Sequence, residues 1–234
     1  MGTVDTLIVS NIGSAAISAV SLVDAINILV VEAFLALAAG GTVVCSQYLG
    51  NKDVEKANKL RVSLCLSHFF LSLLMAVICI AFHEPILRAI FGKVEKEVMD
   101  NAKIYFLFSA VAFPFIALYD DGASILRAQE NSRLPMQISI IANVLNVVLN
   151  LLFVWGFHLG VGGSACATML ARAFAMAAVL YELRKPKWTV HLKSYFSIRP
   201  DWDQIRRILK SEFPQALKTV CSSLESWQSS LQFL

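Results

Sequence analysis

The stretch ISIIANVLNVVLNLLFVWG, residues 138–156, decides the fold, because it is long and apolar enough to cross a lipid bilayer as a helix. It nevertheless carries three amides, Asn143, Asn146 and Asn150. At about 100° per residue they lie within roughly 60° of one another, so they form a polar stripe on a mostly aliphatic helix. Such a stripe must face protein or water. Its amides can simply hydrogen-bond neighbouring membrane helices, or they can belong to a functional site.

The composition of the whole chain places it in a membrane. Of its 234 residues, 57% are hydrophobic and 16% are charged, and the mean hydropathy is +0.64. In soluble domains about a quarter of the residues are charged. Long runs without Asp, Glu, Lys or Arg include 6–23, 62–82, 104–119 and 134–171. Since about 20 apolar residues span a bilayer, we predict an all-α, polytopic transmembrane bundle.

The longest of these runs holds two spans, joined by a turn at the glycines between residues 156 and 163. The first helix of the chain is a short one that ends near residue 11, and an unfinished helix begins near residue 212. Between these two we expect five longer helices, over about 15–49, 54–82, 103–127, 133–156 and 162–184.

The basic residues indicate how the bundle is oriented. The loops 50–61, 127–133 and 184–211 hold fourteen Lys and Arg, and the loops on the opposite side hold four. Because cytoplasmic loops are the richer in Lys and Arg, we place the first set in the cytoplasm and the chain in the cytoplasmic membrane. The expected surroundings are the lipid bilayer. No basic stripe with interleaved aromatic residues occurs, so we expect no nucleic-acid partner.

Four polar residues share a narrow range of depth. Asp5 and Asn150 each lie six residues before the predicted outer end of a helix, and Thr168 lies six after an outer start. At 1.5 Å per residue each is about 9 Å below the outer boundary, with Asn146 one turn deeper. A carboxylate at this depth is a candidate functional group. These oxygens suit a hard cation such as Na⁺, and they suit H⁺ equally well, because removal from water favours the neutral form of a carboxyl.

Five stretches of the chain resemble the multidrug and toxic compound extrusion (MATE) transporters. They occur in the order and spacing of that family and cover essentially the whole chain. The stretches are VDTLIVSNIG from Val4, CSQYLGNKDVEKA from Cys45, FPFIALYDDGASILRAQENSRLP from Phe113, NVLNVVLNLLFVWGFHLGVGGSACAT from Asn143 and RPDWDQIRRILKSEFPQAL from Arg199.

The resemblance implies a role for each of the four polar residues. The aspartate of the family's VDT motif is its cation-coupling carboxylate, which here is Asp5. The paired polar residues of the fifth helix fall on Asn146 and Asn150, and the threonine of the sixth falls on Thr168. With Na⁺ as coupling ion, these four residues are also the metal ligands. Some members carry aspartate at the position of Asn150, so the choice between Na⁺ and H⁺ stays open. No further cofactor is implied.

The resemblance also implies two lobes of six helices each. Residues 1–186 then form the N-terminal lobe, with a truncated first helix, and residues 187–211 form a cytoplasmic linker with an amphipathic helix. Residues 212–234 begin the seventh helix. A second lobe is therefore expected in the complete chain, related to the first by an axis along the membrane normal.

The function implied is antiport. Entry of Na⁺ or H⁺ from outside would drive the export of small amphipathic or cationic compounds, such as drugs and toxins, by alternating access. Four further side chains can line the substrate cavity, namely Asn143, Asp24, Glu32 and Arg172. A flippase of lipid-linked sugars, with a related architecture, is one alternative. It would call for an arginine-rich cavity, and Arg172 is the single residue that suggests one.

The second alternative is a membrane module without transport activity, either an enzyme or a helical scaffold. The adjacent carboxylates of Asp120 and Asp121 would suit a hydrolase. Neighbours at i and i+1 point to different helix faces, however, and no His, Cys or Ser partner accompanies them at a fixed spacing. We therefore expect a transporter rather than an enzyme.

Overall fold

The computed structural model describes residues 2–10, 12–92 and 94–185, and within these ranges the chain is helical apart from short connections. Five helical segments are long and apolar enough to cross a membrane, namely Ser14–Ala36, Val62–Ala81, Lys96–Ala128, Arg133–Gly156 and Gly160–Leu183. The predicted all-α membrane bundle is therefore confirmed. The helices are α1 (Gly2–Val9), α2 (Ser14–Gly50), α3 (Val54–Ala81), α4 (His83–Phe91), α5 (Lys96–Ala128), α6 (Arg133–Asn150) and α7 (Gly160–Leu183).

The prediction of an irregular loop from residue 83 to residue 102 is wrong. The segment contains α4, and α5 begins at Lys96, seven residues before its predicted start. This region is rich in charge, and one of its carboxylates, Glu84, is paired with two cations. Glu84 Oε1 accepts hydrogen bonds from Arg88 at 2.5 Å and lies 3.3 Å from Lys103 Nζ. Lys103, by hydrogen bond and by charge, holds the pKa of Glu84 below its usual value. Leu87, on the same helix, is fully buried.

Helix α5 is the centre of the bundle and packs against α2, α3 and α7. Close approach to α7 depends on a glycine. A Cβ atom added to Gly122 would lie 2.3 Å from Val179 Cγ1. Small residues let membrane helices approach closely, where dispersion contacts and not a hydrophobic effect hold them together. The large side chains Phe106 and Phe113 are fully buried on the same helix.

The turn between α6 and α7 is built from a π-helical segment, Leu151–Gly156, that continues α6 directly after Asn150. The chain then reverses through His158 and Gly160, which have φ angles of 54° and 60°. A Cβ atom on Gly163 would lie 3.1 Å from the carbonyl oxygen of Phe153. The start of α7 is thus pressed against the π-helical segment, and the polar faces of α6 and α7 meet.

Helix α1 is only eight residues long, yet it lies inside the bundle and packs against α2, α6 and α7. Its side chains Asp5 and Val9 are fully buried. A short helix therefore carries a carboxylate into the core of the membrane-spanning domain. The predicted linker over residues 187–211 and the predicted start of a seventh helix at 212 lie outside the described residues.

Candidate functional site

The carboxylate of Asp5 is the centre of a buried polar cluster. It accepts hydrogen bonds from Asn150 Nδ2 at 2.8 Å and from Thr168 Oγ1 at 2.8 Å. A third comes from the hydroxyl of Tyr105 at 3.1 Å. Hydrogen bonds to a charged group are among the stronger ones in proteins. Donors from α5, α6 and α7 therefore hold this carboxylate of α1 without exposing it to lipid.

Asn146 completes the set of four residues that the sequence grouped by depth. Its Nδ2 donates to Thr168 Oγ1 at 2.9 Å, and Asn150 Nδ2 also contacts the backbone oxygen of Asn146 at 3.1 Å. The structure thus brings Asp5, Asn146, Asn150 and Thr168 into one connected network. Their part in coupling is still a prediction.

Tyr105 was missed by the sequence analysis. Its hydroxyl lies 3.1 Å from Asp5 Oδ2 and 3.3 Å from Asp24 Oδ1, so it connects two carboxylates. Because the helix was predicted to begin at residue 103, Tyr105 fell at the membrane boundary. With α5 beginning at Lys96, the tyrosine is nine residues inside the helix, about 13 Å along its axis. A correct prediction of where this helix begins would have placed Tyr105 within the membrane and made it a candidate site residue.

Asp24 lies across a small cavity from Asp5. The cavity has a volume of about 20 Å³, and its polar lining includes Asp5, Asp24, Tyr105, Thr168 and Arg172. A space of this size has room for about one water molecule or one small ion. Two carboxylates thus face a space that can hold a single cation.

Two oxygens beside Asp5 lack a hydrogen-bond donor. Asn146 Oδ1 and Asn150 Oδ1 are buried, and no donor from the described residues reaches them. A buried acceptor without a partner costs about 1–3 kcal/mol, so groups of this kind are rarely left unsatisfied without a reason. Carboxylate, amide and hydroxyl oxygens are the ligands that hard cations prefer. The set fits such an ion. Within the described ranges no group of three His, Cys, Asp or Glu could hold a metal in another way.

A second, larger cavity has a volume of about 250 Å³. Asn143 lines this cavity, whereas the side chains of Asn146 and Asn150 bond to Thr168 and Asp5, so the three amides of the stripe divide between two places. Arg172 lines both cavities. Glu32 lines neither of them, although its Oε2 is buried without a hydrogen bond to a described residue.

The adjacent carboxylates on α5 point in different directions, as expected for neighbours on a helix. Asp120 faces the larger cavity, whereas Asp121 is hydrogen-bonded to Nδ1 of His68 on α3. Both members of the His68–Asp121 pair are buried. The sequence shows no histidine at a fixed local spacing from these carboxylates, and the structure supplies one from a distant part of the chain. Residues 68 and 121 are 53 positions apart, so no local spacing could have paired them.

Comparison with known proteins agrees with this architecture. The family model MatE matches residues 1–152. The chain is similar to the uncharacterized transporter YisQ of Bacillus subtilis, with 28% identity over 92% of this chain and 48% of the relative. It is also similar to the probable multidrug resistance protein NorM of Thermotoga maritima, with 27% identity over 93% of this chain and 47% of the relative.

Among solved structures, the MATE transporter VcmN of Vibrio cholerae in its bent form has the same fold. The TM-score is 0.86 at 20% identity, over 98% of this chain and 51% of that chain. The chain spans about half the length of the curated relatives it matches. Since the MatE model covers well over half of the residues, the chain belongs to the MatE family of multidrug and toxic compound extrusion transporters.

Proposed function

We propose that this chain forms the ion-coupling lobe of an antiporter that exports amphipathic or cationic compounds across the cytoplasmic membrane. One observation carries the proposal. A fully buried carboxylate, Asp5, is held by donors from three helices, and the amide oxygens of Asn146 and Asn150 in the same network accept no hydrogen bond from a described residue. Helices that only pack against one another do not need unsatisfied acceptors around a charge. A site that takes up and releases a cation needs oxygens that are available to bind it.

Coupling follows from the contacts of Asp5 across the bundle. Its carboxylate connects α1 to α5, α6 and α7 through three hydrogen bonds. When the charge of Asp5 is neutralised by a bound ion, these bonds weaken or rearrange, and the preferred packing of α1 changes. The ion can shift the outward-open and inward-open populations only by its difference in affinity for the two states. A nearly complete switch requires about 5.5 kcal/mol.

Na⁺ is the ion that the donor set favours. A proton on Asp5 would add one hydrogen-bond donor, which can satisfy at most one of the two amide oxygens that no described donor reaches, whereas a metal ion takes several oxygen ligands at once. H⁺ is the second candidate, since two carboxylates, Asp5 and Asp24, share the hydroxyl of Tyr105 and a single proton would relieve their repulsion.

The test is substrate efflux by the complete two-lobed transporter in proteoliposomes, driven by an imposed Na⁺ gradient at fixed pH. We expect Asp5→Asn to reduce coupled efflux to background while the protein still inserts and purifies. Asp100→Asn is the matched control, because Asp100 is an exposed carboxylate on α5. Efflux at the wild-type rate in Asp5→Asn would overturn the assignment. Efflux driven by a pH gradient, and not by Na⁺, would identify H⁺ as the coupling ion.

Export of purely anionic cargo is disfavoured by the lining of the two cavities. Arg172 is the single basic residue on either of them, whereas Asp5, Asp24 and Asp120 supply carboxylates. A flippase for lipid-linked sugars would need a basic surface for the diphosphate of its cargo. The described residues of this lobe do not provide one around these cavities.

A further inference from the structure

Arg172 on α7 lies between the Asp5 cluster and the larger cavity. It comes four residues after Thr168, so the two side chains project from the same face of the helix. Arg172 lines the small cavity together with Asp5 and Asp24, and it also lines the larger cavity together with Asp120. One guanidinium therefore borders two separate spaces, and each of them carries at least one carboxylate.

Three carboxylates attract this single positive charge. Arg172 interacts electrostatically with Asp5 and Asp24 on one side and with Asp120 on the other. None of the ion pairs within the described part of the chain includes Arg172. Charges inside membrane domains usually have a fixed partner, because a buried charge without one is strongly destabilising. The guanidinium is thus attracted in two directions and is fixed in neither.

Asp120 is the alternative partner for the guanidinium. The residue is 6% exposed, and its Oδ2 is buried and accepts no hydrogen bond from a described residue. A buried carboxylate oxygen in this state is stabilised by any donor that reaches it. Arginine carries five N–H donors in a planar fork that matches a carboxylate. A rotation of the Arg172 side chain toward the larger cavity would therefore be stabilised at Asp120.

A cation in the small cavity changes the balance between these partners. The small cavity, of about 20 Å³, has room for about one ion, so an ion bound there lies close to every group on its wall. It neutralises part of the charge on Asp5 and Asp24, and it repels the guanidinium of Arg172. Both effects weaken the attraction of the guanidinium to the small cavity, whereas its attraction to Asp120 remains.

We propose that Arg172 is the internal counter-charge of the coupling site. Without an ion its guanidinium stabilises Asp5 and Asp24, and when Na⁺ enters, the guanidinium turns toward Asp120. Arg172 thus competes with the ion, which keeps the affinity low enough for release, and it transmits the occupancy of the ion site to the larger cavity. This inference rests on the proposed function and assigns a regulatory residue to the same site.

The test is binding of radiolabelled Na⁺ to the complete transporter in detergent at fixed pH. Arg172→Gln removes the competing charge, so Na⁺ should bind about 10- to 100-fold more tightly, as expected for a unit charge nearby in a medium less polar than water. Arg172→Lys keeps the charge and should remain closer to wild type. A misfolded variant would lose affinity, so a gain cannot arise from damage to the fold.

A second substitution tests the movement toward Asp120. Asp120→Asn leaves the guanidinium attracted to the small cavity alone, so Na⁺ should bind about 3- to 10-fold more weakly. In the Arg172→Gln background the same substitution should change the affinity by less than about 2-fold. A direct effect of the Asp120 charge on the ion would instead weaken binding equally in both backgrounds.

Arg184→Gln is the matched control, because Arg184 is an exposed arginine at the C-terminal end of α7. It should bind Na⁺ as wild type does. Unchanged or weaker binding in Arg172→Gln, or equal effects of Asp120→Asn in both backgrounds, would overturn the counter-charge and leave the antiporter proposal intact. A wild type that binds no Na⁺, or an Asp5→Asn variant that binds it normally, would reject the coupling site and this inference with it.

Discussion

Tyr105 is the side chain on which the electrostatics of the site depend most directly. Its hydroxyl is buried between Asp5 and Asp24, at 3.1 Å from one carboxylate and 3.3 Å from the other. One hydroxyl has a single proton to donate, so it can fully stabilise only one of the two charges at a time. The other carboxylate then has greater need of an ion. Tyr105 thus sets how strongly the pair attracts a cation.

This leads to a prediction for Tyr105→Phe, which removes the hydroxyl and keeps the ring. Losing a donor destabilises the ionised carboxylates more than the ion-bound site, so the coupling ion should bind about 10- to 100-fold more tightly. Efflux should therefore saturate at a lower Na⁺ concentration. Its maximal rate should fall, because the ion is released more slowly. The measurement is the ion concentration for half-maximal efflux in proteoliposomes.

Tyr181→Phe is the control for that experiment, because Tyr181 is 65% exposed near the end of α7 and lies far along the helix from Thr168. It should leave the half-maximal concentration unchanged. A raised value in Tyr105→Phe would mean that this hydroxyl serves the ion as a ligand, and an unchanged value would mean that it does not affect ion binding.

At the scale of helices, the contact between α5 and α7 positions both sites. Tyr105 and Asp120 belong to α5, and Thr168 and Arg172 belong to α7. The two helices approach closely at Gly122, where an added Cβ atom would lie 2.3 Å from Val179 Cγ1. Any change that separates them lengthens the distances in the Asp5 cluster and in the larger cavity together.

Gly122→Ala is therefore expected to destabilise the lobe by about 1–3 kcal/mol, the usual cost of overpacking a filled core. Val179 would have to move, and it is fully buried. Thermal denaturation of the purified transporter in detergent measures the effect. Efflux should decline as well, because the two polar sites depend on this helix contact.

The double variant Gly122→Ala/Val179→Ala makes the argument specific. It removes two methyl groups from α7, one of them the Cγ1 that the new Cβ would meet, and adds one methyl group on α5. The double variant should therefore be more stable than the sum of the two single changes predicts. Additive effects would show that the cost of Gly122→Ala arises within α5 and not at the contact with α7.

At the scale of the whole molecule, the helix that carries Asp5 lies inside a cage formed by its neighbours. α1 contacts α2, α6 and α7. Its polar link to the cage is the Asp5 cluster. The occupancy of that cluster should therefore control how firmly α1 is held, which is a property of the complete fold and not of any one residue.

Amide hydrogen exchange of α1 tests this coupling. At fixed pH and ionic strength, replacing choline with Na⁺ should slow exchange in α1 of the complete transporter, and Asp5→Asn should remove the response. Exchange in α4, which lies outside the cluster, serves as the internal reference. Slower exchange on acidification, with no response to Na⁺, would identify H⁺ as the ion. No response to either would reject Asp5 as the coupling site.

Much of the fold could be predicted because it depends on local composition. Uncharged runs of sufficient length predict membrane helices, and the glycines after residue 156 predict the turn before α7. The grouping of Asp5 with Asn146, Asn150 and Thr168 followed from counting residues from helix ends. The error at α4 has the same origin. A search for uncharged runs assigns a segment with charges such as Glu84 and Arg88 to a loop, even where those charges are paired on a helix.

By itself, then, the sequence determined that this chain is a helical membrane protein and which polar residues lie at one depth, since rise per residue and bilayer thickness are constants. Only the tertiary structure decided the partners across helices: Tyr105 between two carboxylates, His68 on Asp121, and Arg172 on two cavities. These contacts depend on how each helix is rotated about its axis and how closely it approaches its neighbours. Rotation and approach are set by the packing of many side chains at once, and no local spacing in the chain encodes them.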